Sequence, residues 1–164
     1  MNAQNADPVP PEIPAVAPDE ALLRRVPPHW YPDPEAPRKP QWLAFKPTTE
    51  DKDGLSLGRR CLVVSIDEFS YTPDRTKRRS VAQILVAQVR SRGLTVEPKP
   101  LPHDRAHAVV PQMNVRDYNA GGEKKRAIKE WALHLAHECT EMVLILPTTQ
   151  AGYPNRLAKR QASG

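Results

Sequence analysis

This 164-residue chain has few cysteines and lacks any long apolar run. Its two cysteines, Cys61 and Cys139, stand in apolar stretches without metal-type spacing, so we expect buried thiols and no disulfide framework. No apolar run approaches the roughly 18 residues of a membrane span, and the N-terminus lacks the basic start and apolar stretch of a signal peptide. The sequence therefore predicts a cytoplasmic protein with no membrane partner.

Motifs that carry common chemistry are also missing. The chain contains no GxxxxGK[ST], GxGxxG, GxSxG or HExxH pattern and no CxxC pair, which disfavours the usual nucleotide-binding, hydrolase and zinc classes. Glu130, His134 and Glu138 have helical spacing that could bind a metal, but these residues do not converge on a buried pocket. We expect no cofactor and no metal site.

Proline, in contrast, is abundant at the N-terminal end. Eleven of the 19 prolines fall in the first forty residues, where each fixes φ and removes a backbone donor. The composition of residues 1–19 therefore predicts a disordered Pro-rich arm. Residues 20–47 add apolar anchors that include Trp30 and Trp42, and we expect this segment to lie extended over the domain. The alternative is that its tryptophans bind a groove on a partner.

Hydrophobic patterning predicts the strands of a single domain over residues 20–147. Residues 55–66 are apolar and β-branched and suit one or two strands. Short strands are expected at residues 94–96 and 106–110. The continuous apolar run at residues 142–146 is typical of a central strand that is buried on both faces.

The helices are predicted from apolar residues that recur with a period near 3.6. Residues 123–138 place Ile128, Trp131 and Leu135 on one stripe, which indicates an amphipathic helix. Residues 81–92 favour a second helix that ends before Gly93, although VAQILVA would also suit a buried strand. Residues 148–164 lose periodicity and are predicted to be a mobile basic tail. The fold class is then α+β, with a small mixed sheet packed against one or two amphipathic helices.

The charge of the chain permits a nucleic-acid partner without requiring one. The net charge is +5, because 24 basic residues are largely offset by 19 acidic residues. Basic residues cluster at Arg59-Arg60 and within residues 75–79, 124–126 and 156–160. These clusters are either solvated faces or a phosphate-binding surface.

Two histidines and an arginine fall within five residues, at His103, Arg105 and His107. Imidazoles are general acid/base groups, and a guanidinium binds phosphate or carboxylate. On a strand, His107 would project from a sheet end into a cleft, where Asp67 could meet it. This pattern predicts an enzyme in which His107 is the base, His103 supports it, and Arg105 or Arg60 holds the anion. A structural histidine bonded to the backbone beside a turn is the alternative.

Several short motifs resemble a set of small, uncharacterised bacterial proteins. They are LLRRVPP at residues 22–28, FK at 45–46, LSL at 55–57 and PLPHDRAHAV at 100–109. The resemblance covers roughly residues 20–110. It implies a bacterial origin and one unit that joins the extended segment to the strands, and it supplies no activity.

Two classes of function follow from these patterns. The favoured one is a non-enzymatic binding or accessory protein of a bacterial cytoplasmic system. Its partner is expected to be a protein, with nucleic acid as a second candidate, because the informative features are anchors, a Pro-rich arm and basic clusters. Its predicted binding residues are Arg60, Arg105, Trp30 and Trp42. The alternative is a small His-dependent enzyme that acts on a phosphate-bearing or nucleic-acid substrate.

Overall fold

The computed structural model describes residues 12–26, 32–33 and 36–143, and its main feature is a six-stranded antiparallel sheet. The six strands are β1 (Ala21–Val26), β4 (Leu55–Arg59), β5 (Ser80–Leu85), β6 (Glu97–Pro98), β7 (His107–Val110) and β8 (Glu141–Val143). They are ordered β6-β7-β4-β1-β5-β8. The predicted α+β class is confirmed, and every described pairing is antiparallel rather than mixed.

Four α-helices and a small second sheet complete the described fold. The helices are α1 (Ile66–Ser70), α2 (Val86–Arg90), α3 (Val115–Ala120) and α4 (Gly122–Glu138). The small sheet pairs β2 (Pro32–Asp33) with β3 (Ala36–Pro40), and 3-10 helices span Trp42–Phe45 and Arg60–Leu62. None of the helices in the described part of the chain is long and apolar enough to cross a membrane.

The two faces of the sheet are covered unequally. Strand alternation places Leu22 and Val26 of β1 in the main core, on the side where α4 buries Ile128 and Leu135. The opposite face has only a small cluster, Leu23, Phe69 and Val81, which α1 covers by means of Phe69. The second face is therefore largely free of helices, and it carries the candidate site.

The predicted helix at residues 123–138 is confirmed as α4, with a start at Gly122. Gly121 has φ 78°, a left-handed conformation that suits glycine, and it separates α3 from α4. The predicted strand at residues 106–110 is confirmed as β7. The predicted strand at residues 55–66 is confirmed only as far as Arg59. Beyond Arg59, Ser65 accepts a hydrogen bond from the Glu68 amide and caps α1 instead.

Two strand positions were predicted wrongly, and the helix predicted at residues 81–92 is confirmed only over Val86–Arg90. Residues 81–92 form strand β5 and then α2, because β5 is buried on both faces and its apolar residues show no clear alternation. Residues 94–96 bury Leu94 and Val96 in the core without a ladder, and β6 follows them. Strand β8 lies at the end of the described strand order rather than at its centre, and residues 144–146 lie outside the described residues.

Strand β1 corrects the prediction that residues 20–47 lie extended over the domain. It pairs with β4 on one side and with β5 on the other, so it is an inner strand of the sheet. The buried Arg59 binds the Glu20 carboxylate at 2.7 Å and donates to the carbonyls of Pro14 and Ala15 at 2.6 and 3.1 Å. The backbone just before β1 is thus attached to the sheet. The arm at residues 1–11 and the tail at residues 148–164 lie outside the described residues.

The two cysteines differ in exposure. Cys139 is buried, as predicted, whereas Cys61 is exposed. Strand β4 ends before Cys61, which therefore stands in a 3-10 turn outside the sheet.

Candidate functional site: a cleft on the open face of the sheet

A cleft of about 570 Å³ lies over the open face of the sheet and is named here the central cleft. Its floor includes Ser56 and Phe69, and its walls come from the turn before β4, the hairpin after α1, and the start of β7. Its charged lining residues are the cations Arg24, Arg25, Lys77 and Arg79, the anions Glu50, Asp74 and Asp104, and His107. A cleft of this volume is typical of ligand sites.

Arg25 is the partly buried cation of the central cleft. Its Nε donates to the Phe69 carbonyl at 2.6 Å, and its guanidinium carbon lies 4.1 Å from the centre of the Phe69 ring. No carboxylate of the described residues lies within 4.0 Å of Arg25, and Nη1 and Nη2 have no acceptor among them. Burial lowers the pKa of the Arg25 guanidinium, while Asp104 and Glu50 oppose that shift from a distance. Arg25 is therefore a partly dehydrated cation without a direct counter-ion among the described residues.

Gly58 allows Phe69 to occupy this position. A Cβ at Gly58 would lie 2.3 Å from Cε2 of Phe69, so the ring fills the space that a side chain on β4 would take. Strand glycines often mark such a close approach. Gly58 therefore determines where Phe69 sits, and Phe69 in turn holds Arg25.

The hairpin after α1 supplies the basic wall. Arg75 and Arg78 pair with Glu68 and Asp67, whereas no described carboxylate lies within 4.0 Å of Lys77 or Arg79. The basic run at residues 75–79 is thus divided, with two cations used in surface ion pairs and two that line the central cleft.

The hairpin turn is held by hydrogen bonds to one carboxylate. Asp74 accepts from the hydroxyls of Thr72 and Thr76 at 2.6 and 2.8 Å and from the Thr76 amide at 3.1 Å. These hydrogen bonds lower the pKa of Asp74 to about 2. Asp74 is therefore ionised over the whole neutral range and orders the turn next to Lys77.

A buried ion pair anchors the turn that forms the third wall. Arg24 donates from Nη1 and Nη2 to the two carboxylate oxygens of Asp51, each at 3.0 Å. Asp51 also accepts from the Thr48 amide and the Ser56 amide, both at 2.7 Å, and is 1% exposed. Thr48 and Glu50 line the cleft, so this ion pair positions the wall from below.

His107 lies at the edge of the central cleft with a defined tautomer. Its Nδ1 is 2.7 Å from the Lys99 carbonyl oxygen. A carbonyl can only accept, so Nδ1 carries the proton and the neutral ring has Nε2 as an acceptor. This geometry is that of a histidine oriented by the backbone.

The other groups of the predicted catalytic set do not line the cleft with His107. His103 is exposed outside the lining, and the Asp67 carboxylate is paired with Arg78. Asp104 is the carboxylate that shares the cleft with His107. His103, His107 and Asp67 are therefore not brought together in one site.

The predicted binding residues also lie apart from the central cleft. Arg105 is exposed and Arg60 is partly buried in a 3-10 turn, and neither lines the cleft. Trp42 packs against the main core, which reduces its availability to a partner. Trp30 lies outside the described residues. Arg25 was not predicted, because an Arg-Arg pair puts one arginine on each face only within a strand, and residues 20–47 were not predicted to form one.

The described residues contain no group of three or more His, Cys, Asp or Glu side chains placed to hold a metal ion. Comparisons with known protein families, curated proteins and solved structures find no match to this chain. The geometry of the site must therefore support any functional proposal.

Proposed function

We propose that this chain is a non-enzymatic binding protein whose central cleft binds an acidic side chain of a partner protein. The observation that supports this proposal most directly is Arg25, a partly buried guanidinium with no described carboxylate within 4.0 Å and two terminal nitrogens that have no acceptor among the described residues. Keeping a cation dehydrated without a counter-ion costs free energy. An acidic group of a ligand would offset this cost.

The mixed charge of the cleft favours a polypeptide over a polyanion. Glu50, Asp74 and Asp104 line the cleft together with the cations, so a chain of phosphates would meet repulsion. A peptide can present one carboxylate to Arg25 and neutral or basic groups to these acids.

Peptide selection on the purified protein tests the proposal. Peptides chosen from a random library should contain Asp or Glu, and replacing that residue by its amide should weaken binding about tenfold or more. A hydrogen bond to a charged group contributes about 1.5–3 kcal/mol. The variant Arg25→Gln should show the same loss by fluorescence anisotropy, and the exposed Arg92→Gln should bind like wild type.

Folding of each variant is checked by circular dichroism, because Arg25 also contacts Phe69. Selected peptides without acidic residues would contradict the proposal. So would peptides that bind Arg25→Gln as tightly as they bind the wild-type protein.

The His-dependent enzyme is a second candidate, and one observation favours it. The Nδ1 contact to the Lys99 carbonyl leaves Nε2 of His107 as a base at a cleft that also contains Arg25. Hydrolysis of bis(p-nitrophenyl) phosphate and of a fluorogenic RNA oligonucleotide would test it. His107→Gln should lower turnover by about 100-fold or more, and His103→Gln should leave it unchanged. Absence of turnover by the wild-type protein argues against this candidate.

A further inference from the structure

A cluster of three lysines lies on the α4 side of the sheet, opposite the central cleft. The Nζ atoms of Lys46 and Lys125 lie 5.2 and 5.3 Å from the centre of the Tyr118 ring. The Nζ of Lys129 lies 5.2 Å from the centre of the Trp42 ring. The three residues are named here the lysine surface. Both rings pack against the main core, and their faces attract the ammonium groups through cation–π contacts.

The lysine surface has no direct counter-ions among the described residues. No described carboxylate lies within 4.0 Å of its three ammonium groups, although Lys124 next to it pairs with Asp117 at 2.9 Å. The two ammonium groups on Tyr118 are about 10 Å apart or less, which is one Debye length at 0.1 M salt. Their mutual repulsion is therefore incompletely screened.

Helical geometry keeps the acids of α4 away from this surface. Lys125 and Lys129 are four residues apart and share one face of the helix. Glu123 and Glu130 are seven residues apart and share a different face. Lys125 and Lys129 therefore lie apart from the two glutamates, and they share the lysine surface with Lys46, which directly follows the 3-10 helix Trp42–Phe45.

We propose that the lysine surface binds the phosphate backbone of a nucleic acid. A cluster of three cations next to aromatic rings, without a direct counter-ion among the described residues, is complementary to the closely spaced phosphates of a nucleic acid. The contact is with phosphates and carries no sequence preference. This site lies on the other side of the sheet from the central cleft, so it is independent of the proposed peptide binding and would let one chain contact a protein and a nucleic acid together.

Fluorescence anisotropy with 5′-labelled dT20 and rU20 tests the inference. Three phosphate contacts with a single strand give a slope of log K against log salt of about −2, so affinity should fall about 20-fold between 50 and 200 mM NaCl. The variant Lys46→Gln/Lys125→Gln/Lys129→Gln should lose this dependence. A control with the same loss of charge, Lys52→Gln/Arg60→Gln/Arg92→Gln, should keep it.

Three results would overturn the inference. One is that wild-type protein fails to bind either oligonucleotide at 50 mM NaCl. Another is that the control variant loses as much affinity as the lysine variant, which would assign binding to net charge alone. The third is that vesicles containing one-third phosphatidylserine bind the wild-type protein while both oligonucleotides do not. Unequal binding of dT20 and rU20 would still support the inference and would identify the kind of nucleic acid.

Discussion

The substitution Asp51→Ala would remove the carboxylate that joins β1, β4 and the turn at the cleft wall. Asp51 accepts hydrogen bonds from two Arg24 nitrogens, from the Thr48 amide and hydroxyl, and from the Ser56 amide, at 2.7–3.0 Å. After the substitution, Arg24 keeps only carbonyl acceptors, namely those of Ala44, Lys46 and Ser56. The guanidinium then remains buried without a counter-ion.

The expected loss of stability is large because both partners are buried, with 7% and 1% of their side chains exposed. Breaking such a pair by removing one partner costs about 3–5 kcal/mol. A domain of this size has a total free energy of unfolding of about 5–15 kcal/mol. Asp51→Ala should therefore remove a substantial part of the stability and give a much lower urea midpoint.

A double-mutant cycle measured by urea denaturation separates the ion pair from the rest. The variant Arg24→Met/Asp51→Ala should be less destabilised than the sum of the two single variants, because it leaves no unpaired charge. The exposed Asp53→Ala is a matched control and should lose less than about 1 kcal/mol. A loss below about 1 kcal/mol for Asp51→Ala, or strict additivity in the cycle, would refute the reasoning.

The Arg24–Asp51 ion pair also predicts how the free energy of unfolding changes as the pH falls. Burial alone would raise the pKa of Asp51, but the Arg24 charge and the hydrogen bonds outweigh it and lower the pKa. A carboxylate with a lowered pKa contributes its stability above its unfolded pKa of about 3.9 and loses it as the pH falls through the folded value. Wild-type protein should lose more stability between pH 5 and pH 2 than Arg24→Met/Asp51→Ala, as measured by urea midpoints.

Three further predictions concern Gly58 under the central cleft, the hairpin turn that Asp74 holds, and the segment before β1. Gly58→Ala should displace Phe69 and destabilise the fold by about 1–3 kcal/mol in urea denaturation, and unchanged stability would contradict the close contact. Carboxyl NMR should give Asp74 a pKa of about 2 rather than 3.8. Thr76→Val should raise this pKa, because it removes one hydrogen-bond donor. A wild-type pKa near 3.8 would show that these hydrogen bonds do not form. Arg59→Gln should speed proteolysis within residues 12–20, because it removes the donors to that backbone. Arg92→Gln serves as the control, and equal cleavage of both variants would contradict the attachment.

The sequence predicted correctly those helices and strands that have one buried face and one solvent-exposed face. Helix α4 was predicted correctly because its apolar stripe and charged face repeat with the helical period. Strand β5 was mistaken for a helix because neighbours cover both of its faces, so apolar residues stand at positions of both parities. Strand β1 was taken for an extended segment because a proline-rich sequence surrounds it. Its place in the sheet depends on β4 and β5, which begin 29 and 54 residues after the end of β1 (55 − 26 and 80 − 26).

The same distinction applies to the candidate site: features set by neighbouring residues could be predicted, and features set by contacts between distant residues could not. His107 could be identified because a short strand places alternate residues on opposite faces. Arg25 could not, because its importance depends on Phe69 of α1 and on the absence of a side chain at Gly58. Likewise, the sequence could not show whether Asp67 meets His107; in the structure the Asp67 carboxylate pairs with Arg78, which is 11 residues away, and Asp67 does not line the cleft.

By itself, the sequence determined the α+β class, helix α4, strand β7 and the excess of basic charge. These follow from periodicity and composition, which act over a few neighbouring residues. The tertiary structure alone decided which basic side chains form ion pairs and which have no direct counter-ion among the described residues. Counter-ions are chosen by distance in space, and the single basic run at residues 75–79 supplies both the ion pairs of Arg75 and Arg78 and the cations Lys77 and Arg79 that line the central cleft.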